Sequence, residues 1–208
     1  MLESQECERH LLRLLERYGY LPPAEASILE VGCGTGAWLS QLVRWGTRPE
    51  QLAGIDLLPD AVGRARRRLP PGVRFHIGNA AQLPFAAGCF DVVLQATVFT
   101  SVLDPQVRRL IAAEMLRVVK PDGLIVWYDF HVNNPRNRDV RRVTRRELHE
   151  LFPECHIDLR RCTLAPPLAR LVAPRSWLLA HLLNCVPLLR THYLGAITQR
   201  TRASTFPG

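Results

Sequence analysis

Apolar and polar positions along this chain follow two periods that take turns. Apolar runs of strand length occupy Ser27–Val31, Gln51–Asp56, Val73–Gly78, Phe90–Gln95 and Leu124–Asp129. Between them, stretches with the spacing of amphipathic helices cover Ala37–Trp45, Asp60–Leu69 and Pro105–Val119. Such alternation of strand-like and helix-like runs predicts an α/β fold built on a parallel sheet. Ahead of the first strand, Leu11, Leu12, Leu14 and Leu15 lie among Arg and Glu, a helix over Glu6–Tyr18 that stops at Gly19 and Pro22-Pro23. Lys120-Pro121-Asp122-Gly123 reads as a tight turn feeding the fifth strand.

The last third changes character. Thr144 stands three residues before Glu147, the spacing of a capping box, and predicts a short helix through Phe152. Cys155–Leu164 and Thr191–Gln199 read as two further strands, the second running against the rest. Pro166–Leu189 between them is Leu-rich and helical in pattern, broken by Pro174 and Pro187. It is too short to own a core, so it is expected to pack on, or lid, the sheet edge. The expected organisation is one domain over 1–208: an N-terminal helix (1–23), a core (24–130) and a region after it (131–208) carrying the 166–189 insertion.

Composition narrows the class. The 208 residues are 47% hydrophobic and 22% charged, the balance of a single globular domain rather than a disordered chain. A formal charge of +8, carried by arginine except at Lys120, admits acidic partners such as RNA, phosphates or an anionic membrane face without selecting one. Met1–Glu6 lacks the basic-then-apolar order of a signal peptide, and the greasy run Trp177–Leu189 is interrupted by His181, Asn184 and Pro187. That run falls short of the roughly 20 residues needed to span a bilayer. The six cysteines contain no Cys-x-x-Cys pair, which argues against a disulfide framework or a zinc site. A cytoplasmic protein is expected.

Chemistry concentrates after the first strand, in Glu30-Val31-Gly32-Cys33-Gly34-Thr35-Gly36, which leads directly into a helix. Gly32 and Gly34 permit a tight turn and close approach of backbone to ligand, and the helix start adds N–H donors. The third glycine comes one residue too early for the dinucleotide fingerprint, and the acidic Glu30 suits an ammonium better than a pyrophosphate. Asp56 ends the second strand twenty residues beyond Gly36, where a carboxylate can accept from both hydroxyls of a ribose.

With these residues the chain resembles the class I S-adenosylmethionine-dependent methyltransferases, in particular the small-molecule branch that includes quinone methylases. The resemblance runs from about Ser27 to Phe130 and includes Gly78–Phe85, Phe90–Leu94 and Arg117–Gly123. It implies a Rossmann-like, seven-stranded, mostly parallel sheet with helices on both faces, and S-adenosylmethionine as cofactor. In that family the glycine loop holds the methionine part and the acid at position 56 the ribose, while Asn79-Ala80 borders the adenine. Many relatives have Asp where this chain has Asn79. Gln95 would lie under the methyl-donating end. The cofactor-binding set implied is Glu30, Gly32, Cys33, Gly34, Gly36, Asp56, Leu57, Asn79, Ala80 and Gln95.

A sulfonium is already a strong electrophile, so the protein need mainly align the acceptor, exclude water and, for an oxygen acceptor, supply a base. His131, where the chain leaves the fifth strand, has the pKa range of a base, with Asp129 or Tyr128 to orient it or the acceptor. Gln95 replaces one of the paired carboxylates of metal-dependent relatives, so no metal is expected. Six arginines between Arg136 and Arg146 could grip a phosphate or carboxylate, face RNA, or simply be solvated. The expected acceptor is a small or lipid-linked metabolite methylated on oxygen, handled by a monomer or homodimer with peripheral membrane contact. An RNA methyltransferase, a nicotinamide-dependent reductase and a non-catalytic methyltransferase-like subunit remain open.

Overall fold

The computed structural model describes residues 2–21, 24–133, 137, 139–164, 172, 183, 186 and 189–200. The Leu-rich insertion 166–189, apart from isolated positions, lies outside the described residues, as do Asn134, Arg136 and Arg138. Seven strands form one sheet in the order β3-β2-β1-β4-β5-β7-β6. They are β1 (Ile28–Val31), β2 (Leu52–Asp56), β3 (Arg74–Ile77), β4 (Phe90–Ala96), β5 (Val119–Phe130), β6 (Cys155–Leu164) and β7 (Arg190–Gln199). The first five run parallel, and β7 is antiparallel to both β5 and β6. That is the sheet expected, down to the reversed seventh strand.

Among the described residues six α-helices cover the faces: α1 (Leu2–Arg17), α2 (Ala37–Arg44), α3 (Pro59–Arg68), α4 (Val98–Ser101), α5 (Pro105–Val118) and α6 (Arg145–Leu151). Side chains of a strand alternate between faces, and the core divides accordingly. Leu11 and Leu15 of α1, Leu39 and Leu42 of α2 and Ala65 of α3 pack on Ile28, Val92, Leu124 and Val126. Ile111 and Met115 of α5 and Leu148 of α6 pack on Leu29, Val93, Ile125 and Trp127 across the sheet. Trp127 is fully buried between Phe99 and Phe152, ring centroids 4.5 and 6.0 Å away.

Two expectations change. Lys120–Gly123 does not precede the fifth strand but bulges within it: Val119 pairs with Phe90 and Leu124 with Val92, so five steps on β5 match two on β4. Lys120 Nζ donates to Asp91 Oδ1 at 2.7 Å from that bulge. The short helix α4, absent from the expected elements, turns the chain back over the sheet after β4. Thr144 does cap α6, its hydroxyl accepting from the Glu147 amide at 3.1 Å. The Glu147 carboxylate, however, goes to the fully buried Arg108 (2.5 Å) and to Arg141 (2.9 Å).

Candidate active site

The carboxyl ends of β1, β2, β4 and β5 lie side by side, and the connections that leave them build the site. After β1, the amides of Gly32 and Cys33 both donate to the Ile55 carbonyl, at 2.8 and 3.0 Å, pinning the loop to β2. The Gly36 amide donates to the Cys33 carbonyl at 2.8 Å and closes the turn. Gly34 (φ +51°) and Gly36 (φ +74°) both need the left-handed region, but for different surroundings. A Cβ on Gly36 would meet Leu69 at 2.5 Å and Ala65 at 3.2 Å, whereas one on Gly34 would meet nothing within 4 Å. Gly36 is packed against α3, while Gly34 presents bare backbone to open space.

Two carboxylates flank this loop. Asp56 Oδ2 accepts from the Gly34 amide at 2.8 Å and Oδ1 from the Leu58 amide at 2.9 Å, so the side chain fixes the loop it faces. Each oxygen keeps a second lone pair for a hydroxyl donor. Glu30 is 2% exposed, and its Oε2 has no hydrogen-bond partner. Burial, with a smaller push from the Asp56 charge, raises its pKa well above the carboxylate range, against the Leu39 amide that favours the anion. A buried acceptor left empty is costly, and a cationic donor would satisfy it. Cys33, next in the loop, is buried with its sulfur 2.9 Å from where a Cβ on Gly54 would sit. Burial first, then Glu30 and Asp56, push its thiol up to about 12, so it contributes backbone rather than a thiolate.

The rim is apolar where β2 and β3 end. Leu57 and Leu58 are 67% and 62% exposed, and Ile77 is 52% exposed. Asn79 Oδ1 accepts from the Ala81 amide at 2.9 Å, holding the turn that carries Ala80.

After β4 the chain adopts strained geometry. Thr97, a β-branched residue, sits at φ +60°, with its amide donating to the Tyr128 carbonyl at 2.8 Å. Gln95, fully buried, accepts from the Val98 amide at 3.2 Å and donates to the Tyr128 carbonyl at 3.4 Å. Asp129 Oδ2 accepts from the Phe99 and Thr100 amides at 3.1 and 3.3 Å, and Oδ1 from the Phe130 amide at 2.9 Å. Gln95 and Asp129 thereby secure the first turn of α4, which places Val98 over Gly32: a Cβ there would meet Val98 Cγ2. Burial raises the Asp129 pKa to about 6 despite these amides.

The expected arrangement around His131 is different in detail. Asp129 gives its oxygens to amides and not to His131. Tyr128 points to the opposite face of β5, where its hydroxyl lies 3.1 Å from Thr163 Oγ1 and its ring stacks on His192. What orients His131 comes from β7, which the sequence pattern did not connect to it. Its Nε2 lies 3.0 Å from the Arg190 carbonyl, its amide donates to the Thr191 carbonyl at 3.0 Å, and its ring stacks on Tyr193 at 4.3 Å. A carbonyl only accepts, so Nε2 carries the proton and Nδ1 the lone pair. Burial first, then the Arg161 charge, lowers the His131 pKa and keeps the ring neutral. Thr97 and Tyr193 are the residues missed: no local pattern distinguishes either, because one is set by a backbone angle and the other by a pairing across two strands.

Residues 28–123 match the profile of a family described as a methyltransferase domain. Over 119 residues the chain is 36% identical to 2-methyl-6-phytyl-1,4-hydroquinone methyltransferase of Synechocystis, covering 56% of this chain and 35% of that protein. Over 129 residues it is 36% identical to the fatty-acid O-methyltransferase of Mycolicibacterium smegmatis, covering 61% and 46%. The aligned part thus spans about a third to a half of the length of these curated relatives. Among solved structures, an S-adenosylmethionine-dependent methyltransferase of Methanosarcina mazei superposes with a TM-score of 0.63 at 21% identity, over 88% of this chain and 96% of that one.

Proposed function

We propose, from the match of residues 28–123 to a methyltransferase-domain profile, that this chain is a class I S-adenosylmethionine-dependent methyltransferase and that it methylates an oxygen of a small or lipid-linked metabolite. The observation that carries the proposal is the unpartnered, buried Glu30 Oε2 at the end of β1, which leads into the loop where Gly34 leaves its backbone open and donates to Asp56. This donor set suits the cofactor. Glu30 would answer the ammonium of its amino-acid part, the spare lone pairs of Asp56 its ribose hydroxyls, and Asn79, Ala80 and the apolar rim at Leu57 its adenine. When bound, S-adenosylmethionine supplies a methyl group already activated by its sulfonium.

The chain's own task is then alignment, dryness and one proton. Gln95 and Asp129 fix α4, so that Val98 stays against the glycine loop. His131, held through Nε2 by the Arg190 carbonyl, offers Nδ1 as the acceptor of a hydroxyl proton, and its neutral state at pH 7 suits that role. The names of the relatives, a phytyl-hydroquinone enzyme and a fatty-acid O-methyltransferase, favour an acceptor with an acidic oxygen on an apolar body. We take residues 1–208 as one methyltransferase domain working in the cytoplasm, as a monomer or homodimer, with peripheral membrane contact. Among the described residues, no helix is long and apolar enough to cross a membrane.

Calorimetric titration with S-adenosylhomocysteine and, separately, with NAD tests the cofactor, and transfer of labelled methyl to alkyl hydroquinones and to fatty acids tests the acceptor. Binding of the homocysteine nucleoside alone, with label entering either acceptor class, is expected. Binding of NAD instead, or of neither at millimolar concentration, would overturn the assignment.

A further inference from the structure

Arg108 of α5 is fully buried, and its donors go to three different elements. Nε donates at 2.6 Å to the Val102 carbonyl, where α4 ends. Nη1 donates at 2.5 Å to Glu147 Oε1 on α6, and Nη2 at 2.9 Å to the Arg141 carbonyl in the segment 139–143. Arg141 reaches the same Glu147 oxygen through its own Nη2, at 2.9 Å.

The segment so held touches both chains that leave the sheet at the candidate active site. Its three consecutive amides each find a different acceptor. Arg141 donates to the Thr100 carbonyl of α4 at 2.9 Å, Arg142 to Asn133 Oδ1 at 2.9 Å and Val143 to the Phe130 carbonyl at 3.0 Å. Thr100 lies on the exit from β4, and Phe130 and Asn133 flank His131 on the exit from β5. Packing alone does not call for a cation at position 108. Taking a guanidinium out of water is costly, and an apolar side chain of similar volume often serves a core as well. What an apolar side chain cannot do is engage a carboxylate and two carbonyls from three elements at once. The directional donors of a guanidinium can.

We propose that Arg108 is a positioning residue, tying the exits of β4 and β5 together so that methyl donor and acceptor are held in line. This rests on the methyltransferase reading given above. Transfer between two bound groups depends on their alignment, and a displacement of about 1 Å can lower the rate about 10²-fold. The first turn of α4 keeps its own anchors in Gln95 and Asp129. Loss of the Arg108 tie should therefore spare the cofactor loop and act on the acceptor side, where the segment 139–143 braces the chain around His131.

The experiment compares the full chain with Arg108→Met/Glu147→Gln, which removes both charges together and so leaves neither buried alone. Arg108→Lys, which keeps the charge but replaces the planar fork by a compact ammonium, is measured alongside in case the double variant does not fold. Arg146→Gln/Glu150→Gln, an exposed ion pair on the same α6, is the control. Amide hydrogen exchange is followed by mass spectrometry over 97–103, 130–133 and 139–143. S-adenosylhomocysteine is titrated by calorimetry, and labelled methyl transfer to alkyl hydroquinones and to fatty acids is measured at saturating S-adenosylmethionine. In both Arg108 variants exchange should quicken in those three segments alone and kcat should fall about tenfold or more, with S-adenosylhomocysteine affinity within about twofold of wild type. Unchanged exchange there, exchange that quickens throughout the sheet, or a kcat equal to that of the control overturns the proposal. A wild type that neither binds S-adenosylhomocysteine nor transfers methyl would sink the methyltransferase reading instead, and the exchange pattern then decides by itself whether Arg108 ties the two exits.

Discussion

Gly34 and Gly36 share a loop and a left-handed backbone, yet alanine at each should fail in a different way. At Gly36 (φ +74°) the added methyl would sit 2.5 Å from Leu69 Cδ1 and 3.2 Å from Ala65 Cβ. The left-handed conformation costs a residue with a Cβ about 1–2 kcal/mol. Forcing a methyl into filled space costs a further ~1–3 kcal/mol. Together these predict a loss of about 2–5 kcal/mol, which for a domain of this size lowers the melting temperature by about 5–15 °C. At Gly34 (φ +51°) nothing lies within 4 Å, so only the backbone cost applies and the melt should fall by a few degrees. Affinity should show the reverse. The Gly34→Ala methyl occupies the open face of the loop and should weaken S-adenosylhomocysteine binding about tenfold or more, the effect of ~1.4 kcal/mol. Scanning calorimetry of the ligand-free proteins and titration calorimetry well below both melts measure the two quantities. Equal melting temperatures would show that contact with Leu69 and Ala65 does not set the tolerance at Gly36. Unchanged affinity in Gly34→Ala would show that the open backbone is not where the cofactor lies.

Three further outcomes follow from the buried groups. Glu30→Gln replaces a carboxyl whose ionised form burial disfavours, so the ligand-free protein should melt no lower than wild type while its affinity for S-adenosylhomocysteine falls about tenfold; a melt that drops with affinity intact would contradict the ammonium assignment. Asp129 has a folded pKa near 6 against 3.8 when unfolded, so its protonated form favours folding and that contribution is lost as pH rises from about 4 through 6. His192, lowered to about 4 chiefly by burial, acts oppositely, its stabilising neutral form being lost as pH falls from 6.5 toward 4. Denaturant midpoints at pH 4 and 7 should therefore show Asp129→Asn gaining stability relative to wild type at the higher pH, and a constant offset would refute the buried titration. His131→Ala should lower turnover on an oxygen acceptor by about 10²-fold or more with cofactor affinity unchanged, and wild-type rates would remove it from the mechanism.

Much of the architecture was legible because it is encoded locally. The loop after β1 needs left-handed residues within a few positions of a strand end, and only glycine supplies them without cost, so Gly32-x-Gly34-x-Gly36 could be read directly. The Thr144 cap was legible for the same reason, since its hydroxyl and the Glu147 amide are three residues apart. The fate of the Glu147 carboxylate was not, because Arg108 is 39 residues away in the chain.

The same division runs through the active site. Residue types and spacing established the order of strands and helices, the glycine loop, and the presence of Glu30 and Asp56 at adjacent strand ends. A contact across thirty residues decided that Asp129, together with the nearby Gln95, holds the first turn of α4. Pairing of β7 between β5 and β6 decided that His131 leans on Tyr193. Backbone preference and hydrophobic period act over a few residues and survive in the order of letters. A side chain's partner depends on which strands the sheet sets beside each other, and that is settled only when the whole core closes.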